Sequence, residues 1–152
     1  MVEPIVPFTV ERLDACTRLF VDTFNREPWR DRWTLDSARQ RLLQVAETPG
    51  FIGFVLCPAA DGVVGFAFGH TEPWFDGEHF CIREFCIRHD CWRQGFGTRL
   101  LRHLERALTA RRIDRVFLLT VRAGPAETFY RKNGYTGNPR MLVMSRRMDC
   151  GE

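Results

Sequence analysis

The sequence predicts an α/β (α+β) domain built on a mixed sheet, with elements in the order βααβββαβαββ. Three observations carry this. Short apolar runs of strand length alternate with stretches whose apolar residues recur at helical spacing. The run Phe80 to Ile87 leads through a glycine-bearing turn into a long amphipathic helix. No internal repeat, low-complexity tract or linker interrupts the pattern. With 152 residues, 45% hydrophobic and 27% charged, one domain over residues 1–152 with a real core is expected.

Ile5 to Phe8, between prolines, predicts a first strand. Thr9 is a helix N-cap candidate, and Leu13, Cys16, Leu19, Phe20 and Phe24 follow at helical spacing, ending near Asn25. Glu27-Pro28-Trp29-Arg30-Asp31-Arg32-Trp33 reads as a loop. Thr34 caps a second helix whose inner face is Leu35, Ala38, Leu42 and Val45/Ala46; Pro49-Gly50 stops it. Phe51 to Leu56 and Val63 to Gly69, joined by a turn at Pro58 to Gly62, predict a hairpin. His70 to His79 reads as a polar, aromatic loop. The long helix spans about Gly95 to Arg111, with Leu100, Leu101, Leu104, Ala107 and Leu108 inward. Arg115 to Val121 is a strand candidate, Pro125 to Lys132 a short helix with Pro in its first turn and Asn133-Gly134 as its stop. Tyr135–Thr136 and Met141–Met148 are the last two strand candidates.

Bulk properties narrow the function. A net charge of +3 is too small to imply nucleic acid. No apolar run approaches the roughly 20 residues of a bilayer span, so no membrane partner is expected. Met1-Val2-Glu3-Pro4 lacks the basic start and apolar core of a signal peptide, which predicts a cytoplasmic protein. The six cysteines show no Cys-x-x-Cys pair and no His set that would complete a zinc site; no metal is expected, and most sit in apolar periodic segments where a thiol behaves as a small hydrophobe.

Trp92-Arg93-Gln94-Gly95-Phe96-Gly97-Thr98 carries the strongest chemical signal. Glycines at a strand–helix junction let the backbone approach a ligand, and the helix start presents free N–H groups. Together these make an anion cradle. Leu100 stands where a dinucleotide fold needs its third glycine, and no Gly-Lys-Ser/Thr is present for a P-loop. A glycine-softened turn before a helix is the alternative.

Taken with Glu84-Phe85-Cys86-Ile87 before it and Ala126, Phe129, Tyr130, Gly134 and Tyr135 after it, this stretch resembles the GNAT superfamily of acyl-CoA-dependent N-acetyltransferases. That family's loop reads Gln/Arg-x-x-Gly-x-Gly/Ala, and its downstream signature Ala-x-x-Phe-Tyr-x-x-x-Gly-Phe/Tyr. Trp92 departs from the loop's first position, and Ala123 stands where the family often has Asn. The resemblance implies a central mixed twisted sheet flanked by helices, acetyl-CoA as cosubstrate, and direct attack by an amine in a ternary complex. It places the CoA pyrophosphate on Arg93, Gln94, Gly95, Phe96, Gly97 and Thr98. It lays the pantetheine along the backbone of Phe85, Cys86 and Ile87, with an amide near Cys86 or Ile87 polarising the thioester carbonyl. Tyr130, a neutral donor at pH 7, is the implied partner of the departing thiolate; a packed aromatic is the alternative.

Glu84 is the leading general base, since a partly buried carboxylate has its pKa raised toward a useful value. A residue ion-paired with Arg83 or Arg88 is the alternative, and Glu72, Asp76 and His79 are competing bases. Trp29 and Trp33 with Glu27 and Asp31, and Glu72, Trp74, Phe75, Asp76 and Glu78, are candidate acceptor walls: aromatic faces and carboxylates suit a small cationic amine. The same tryptophans would also serve simply to pack the first two helices. This pairing looks similar to aminoglycoside 6′-N-acetyltransferases, which implies an antibiotic-resistance role. A protein N-terminal or lysine acetyltransferase and a non-catalytic acyl-CoA-binding module are the other readings. Many family members pair through their last strands, so Met141–Met148 is a candidate homodimer edge.

Overall fold

The computed structural model describes residues 4–58 and 62–151. The turn expected at Pro58–Gly62 and the start Met1-Val2-Glu3-Pro4 lie partly outside these. The chain divides into two compact units, residues 1–119 and 120–152.

The first unit holds a five-stranded mixed sheet in the order β1-β2-β3-β4-β5: β1 Ile5–Pro7, β2 Phe51–Leu56, β3 Gly65–Trp74, β4 Gly77–Ile87 and β5 Val116–Phe117. The first four pair antiparallel and β5 runs parallel to β4. On one face lie α1 Leu13–Phe24, entered through a 3-10 turn at Val10–Arg12, and α2 Leu35–Ala46. On the other lies α3 Phe96–Ala110, where the Phe54 and His103 rings meet at 4.6 Å. The α1/α2 face closes over Phe66, Phe68 and Cys86 with Leu13, Cys16, Leu19, Phe20, Leu42 and Val45, all buried. Stripping apolar surface from water drives this packing.

Helix ends follow the sequence with exceptions. Thr34 caps α2 in a reciprocal capping box with Ser37. Thr9 precedes the 3-10 turn but makes no side-chain cap bond. Leu35, expected inward, is exposed: it lies at the N-terminal end of the stripe of Ala38, Leu42 and Val45, at the first helical position.

Four segments differ from the sequence reading. His70 to His79 is not a loop: β3 runs on to Trp74 and β4 starts at Gly77, with Thr71↔Phe80 and Glu72↔His79 paired. Its exposed residues, Pro73 to Glu78, form the hairpin tip, while His70 and His79 are buried. Only Val116–Phe117 of the run Arg115 to Val121 joins the sheet, opposite Phe80 and Cys81; Leu119 and Val121 are exposed. In the second unit, residues 135–136 and 141–148 form no strand. Met141, Leu142, Val143 and Met144 are contiguous and exposed, so nothing there shields or pairs a ladder edge.

One irregularity positions the site. Register along β3 and β4 passes from Phe68↔Glu84 to Gly69↔Ile82, leaving Arg83 as an extra residue in β4. A bulge of this kind reverses the alternation of faces. Ile82 shares the α3 face with Gly69. Glu84 therefore shares the α1/α2 face with Phe68, where an unbroken strand would have kept it beside Ile82.

The second unit contains α4 Pro125–Lys132. Glu127 accepts a hydrogen bond from the Ala123 amide at 2.7 Å and pairs with Arg131, closing the helix entry.

A candidate acyl-transfer site along β4 and the start of α3

Gly95 is the N-cap of α3, with φ +83, a left-handed conformation that favours glycine. It offers no capping side chain, and the first turn of α3 carries no acidic residue. The first amide with an intrahelical acceptor is that of Arg99, to the Gly95 carbonyl at 3.0 Å. The amides of Phe96, Gly97 and Thr98 precede it at the positive end of the helix. Around them, Gln94 donates to the Asp90 carbonyl (2.9 Å), and the Arg99 guanidinium lies 4.6 Å over the Phe96 ring. Arg93 is exposed, with φ +60. A Cβ on Gly95 would meet nothing within 4 Å, so the space beside the loop is open.

Trp92, the departure from the family's loop, is an anchor. Its indole N–H donates to the Ile87 carbonyl at 2.7 Å. Its ring packs against His89 (4.7 Å) and Trp29 (5.8 Å). Trp29 continues to Phe24 (5.0 Å), Phe24 to Phe20 (4.8 Å) and Phe20 to Trp33 (5.1 Å). This chain of rings ties the α1–α2 loop to the start of the cradle. The carboxylates of that loop are engaged locally: Glu27 with Arg30, and Asp31 with the Trp33 indole N–H.

Phe85, Cys86 and Ile87 lead into the cradle. Because β5 pairs with β4 only at Phe80 and Cys81, the same edge of β4 beyond Cys81 has no strand partner among the described residues. A strand edge that no neighbouring strand pairs can present backbone N–H and C=O groups to an extended ligand. The Cys86 side chain is buried on the α1 side, and burial pushes its thiol up to about 12, so only its backbone is available for binding.

Glu84 follows the bulge with its side chain 11% exposed. Arg41 of α2 donates from Nε to its Oε1 at 2.8 Å. Burial pushes the Glu84 carboxyl above its ordinary value, and the hydrogen bond and charge of Arg41, with the charge of Arg83, pull part of that back. Sequence reading named Arg83 and Arg88 as its ion-pair partners and missed Arg41. The available signal was an arginine three residues after Ala38 and four before Val45, on the flank of the buried stripe of α2.

The remaining candidates lie elsewhere. Glu72, Trp74, Phe75, Asp76 and Glu78 gather at the β3–β4 hairpin end, where Phe75 is 94% exposed. His79 stacks on Trp74 and bonds Asp76 at 2.9 Å; Glu72 meets His70 at 3.2 Å. β4 is 11 residues long, about 35 Å at the usual rise per residue. The two segments proposed as acceptor walls are thus at opposite ends of β4, with Trp29 at the cradle end. In the second unit, Tyr130 is buried against Phe129 (5.1 Å) and Tyr135 (5.3 Å). Burial raises its pKa well above the ordinary tyrosine value, which keeps the phenol protonated. All six cysteines are free thiols. Among the described residues no group of three or more His, Cys, Asp or Glu could hold a metal ion, and no helix is long and apolar enough to cross a membrane.

Comparison with known proteins bears on the family and the fold. The model of the Acetyltransferase (GNAT) family matches residues 13–135. Similar solved structures include a transcriptional regulator from Bacillus halodurans C-125, at 18% identity and TM-score 0.75, covering 95% of this chain and 100% of that one. An aminoglycoside acetyltransferase from an uncultured soil metagenomic sample matches at 18% identity and TM-score 0.74, covering 98% and 100%. Another from such a sample, in complex with sisomicin, matches at 16% identity and TM-score 0.73, covering 96% of both chains. At these identities the likeness is one of fold. No curated protein matches the sequence.

Proposed function

The chain belongs to the GNAT acetyltransferase family, and from that premise we propose that it is an acetyl-CoA-dependent N-acetyltransferase for a primary amine of a small molecule. The observation that carries this is the continuous run from Glu84, through Phe85–Ile87 beyond the stretch of β4 that β5 pairs, to the uncapped start of α3. Acetyl-CoA supplies an acetyl thioester. The amides of Phe96, Gly97 and Thr98, with Arg93 and Gln94, hold its pyrophosphate. The backbone of Phe85 to Ile87 holds the pantetheine, and an amide at Cys86 or Ile87 donates to the thioester oxygen as charge develops there. Glu84, kept in place by Arg41, takes the proton of the attacking ammonium, directly or through water. By the family resemblance alone, Tyr130 is the proton donor to test for the departing thiolate.

Aminoglycosides belong in the acceptor panel, because two of the similar structures are described as aminoglycoside acetyltransferases. The exposed apolar run Met141–Met144 supports pairing of two copies through that segment. The test is release of free CoA thiol from acetyl-CoA with a panel of aminoglycosides, polyamines, amino acids and peptides. Turnover of a small amine is expected. Acetyl-CoA binding without thiol release on any acceptor would leave a binding module instead. With the best acceptor, Tyr130→Phe is expected to lower kcat by about 10²-fold or more with acetyl-CoA affinity retained. An unchanged kcat would remove Tyr130 from the reaction.

A further inference from the structure

Beside Glu84, on the α2 side, lies a cavity of about 210 Å³ lined by Arg41, Gln44, Val45, Thr48 and Arg83. Whole-ligand pockets commonly span about 300–1,000 Å³, so this space has the size of a subsite. Its polar side chains are two guanidinium groups, an amide and a hydroxyl, and no carboxylate is among the lining residues. Arg41 spends Nε on Glu84, and the planar fork leaves its terminal nitrogens for another acceptor. Arg83 makes no ion pair among the described residues. It is the extra residue of the bulge, so its position follows from the irregularity that also turns Glu84 toward α2. Two positive charges share this space and Glu84 balances one of them. The C-terminal dipole of α2 offsets only a fraction of the remaining charge. A guanidinium fork favours carboxylate or phosphate oxygens and repels a polycation.

We propose that this cavity is the acceptor's anion subsite: the amine that meets Glu84 also carries a carboxylate or phosphate group, which Arg83 and Arg41 hold. Such an acceptor is an amino acid or an aminoalkyl phosphate, with amine and anion a few bonds apart, as adjacent residues 83 and 84 require. The proposal rests on the reading of Glu84 as the acceptor-side carboxylate.

Thiol release is measured with acceptor pairs that differ in the anion alone: amino acids against their amides and decarboxylated amines, and phosphoethanolamine against ethanolamine. Kanamycin and spermidine serve as polycations. The anionic member is expected to have a kcat/KM at least tenfold higher, mostly through KM, and Arg83→Gln is expected to collapse that ratio toward one. Arg83→Lys restores part of it. Equal or better turnover of the neutral and polycationic acceptors would overturn the subsite while leaving the acetyltransferase reading standing. No thiol release with any acceptor would sink that reading. Titration of inorganic phosphate into the purified protein, followed by amide NMR, then decides the subsite by itself. Saturable shifts at residues 41–48 and 83 that Arg83→Gln abolishes support it. Absent shifts, or shifts that persist in a folded Arg83→Gln variant, overturn it.

Discussion

In the Gly95→Val variant, acetyl-CoA affinity is expected to fall by about 100-fold or more, with the fold retained. The cause is conformational. A Cβ at position 95 would touch nothing within 4 Å, so no clash is involved. The backbone there stands at φ +83, which a β-branched residue resists. Relaxing that angle turns the amides of Phe96, Gly97 and Thr98 away from their common focus. Asparagine tolerates the left-handed region, so Gly95→Asn is expected to bind within about threefold of the wild type. Isothermal titration with acetyl-CoA reads both variants, and circular dichroism checks the fold. Gly95→Val binding at wild-type strength would remove the cradle from the cosubstrate site.

The second large effect is at Glu84. Glu84→Gln is expected to lower kcat by about 10²–10⁴-fold, the range of a general base. The sign of the pH dependence follows from burial, which raises the carboxyl above its ordinary value. Wild-type kcat therefore rises with pH through a limb lying above the usual carboxylate range, and Glu84→Gln lacks that limb. Stability runs the other way. A carboxyl with a raised folded-state pKa contributes stability that is full below its unfolded value and is lost as pH rises through the folded value. Wild-type melting temperature should carry that decline, and Glu84→Gln should not. An unaltered pH–rate profile in Glu84→Gln would assign the base elsewhere.

The start of α3 at Gly95 was legible in the sequence because its determinants are local. A glycine, a helix start and an apolar stripe fall within one stretch, and α3 runs Phe96–Ala110 between the caps Gly95 and Arg111. The α/β class with a mixed sheet was legible for the same reason: periodicity marks elements one at a time. Pairing was not legible. Arg115 to Val121 is apolar enough for a strand, yet only Val116 and Phe117 take up strand register, opposite Phe80 and Cys81. His70 to Trp74 is polar enough for a loop, yet it is strand, held by cross-strand bonds that composition does not encode. The bulge at Arg83 was invisible for a sharper reason. It depends on the register of two strands, and it decides which face Glu84 joins. The Arg41–Glu84 pair, 43 residues apart in sequence, follows from that register.

The ring chain from Trp33 to Trp92 has an optical consequence. Three of the protein's four tryptophans, Trp29, Trp33 and Trp92, belong to it, and Trp92 abuts the cradle. The fourth, Trp74, sits at the far hairpin end, about 35 Å of strand away. Cosubstrate arriving at α3 should change the emission of the Trp29–Trp92 pair and leave Trp74 as an internal reference. If acetyl-CoA binds at α3 as proposed, this emission offers a label-free reading of its binding kinetics, and Trp92→Phe is the variant expected to weaken it.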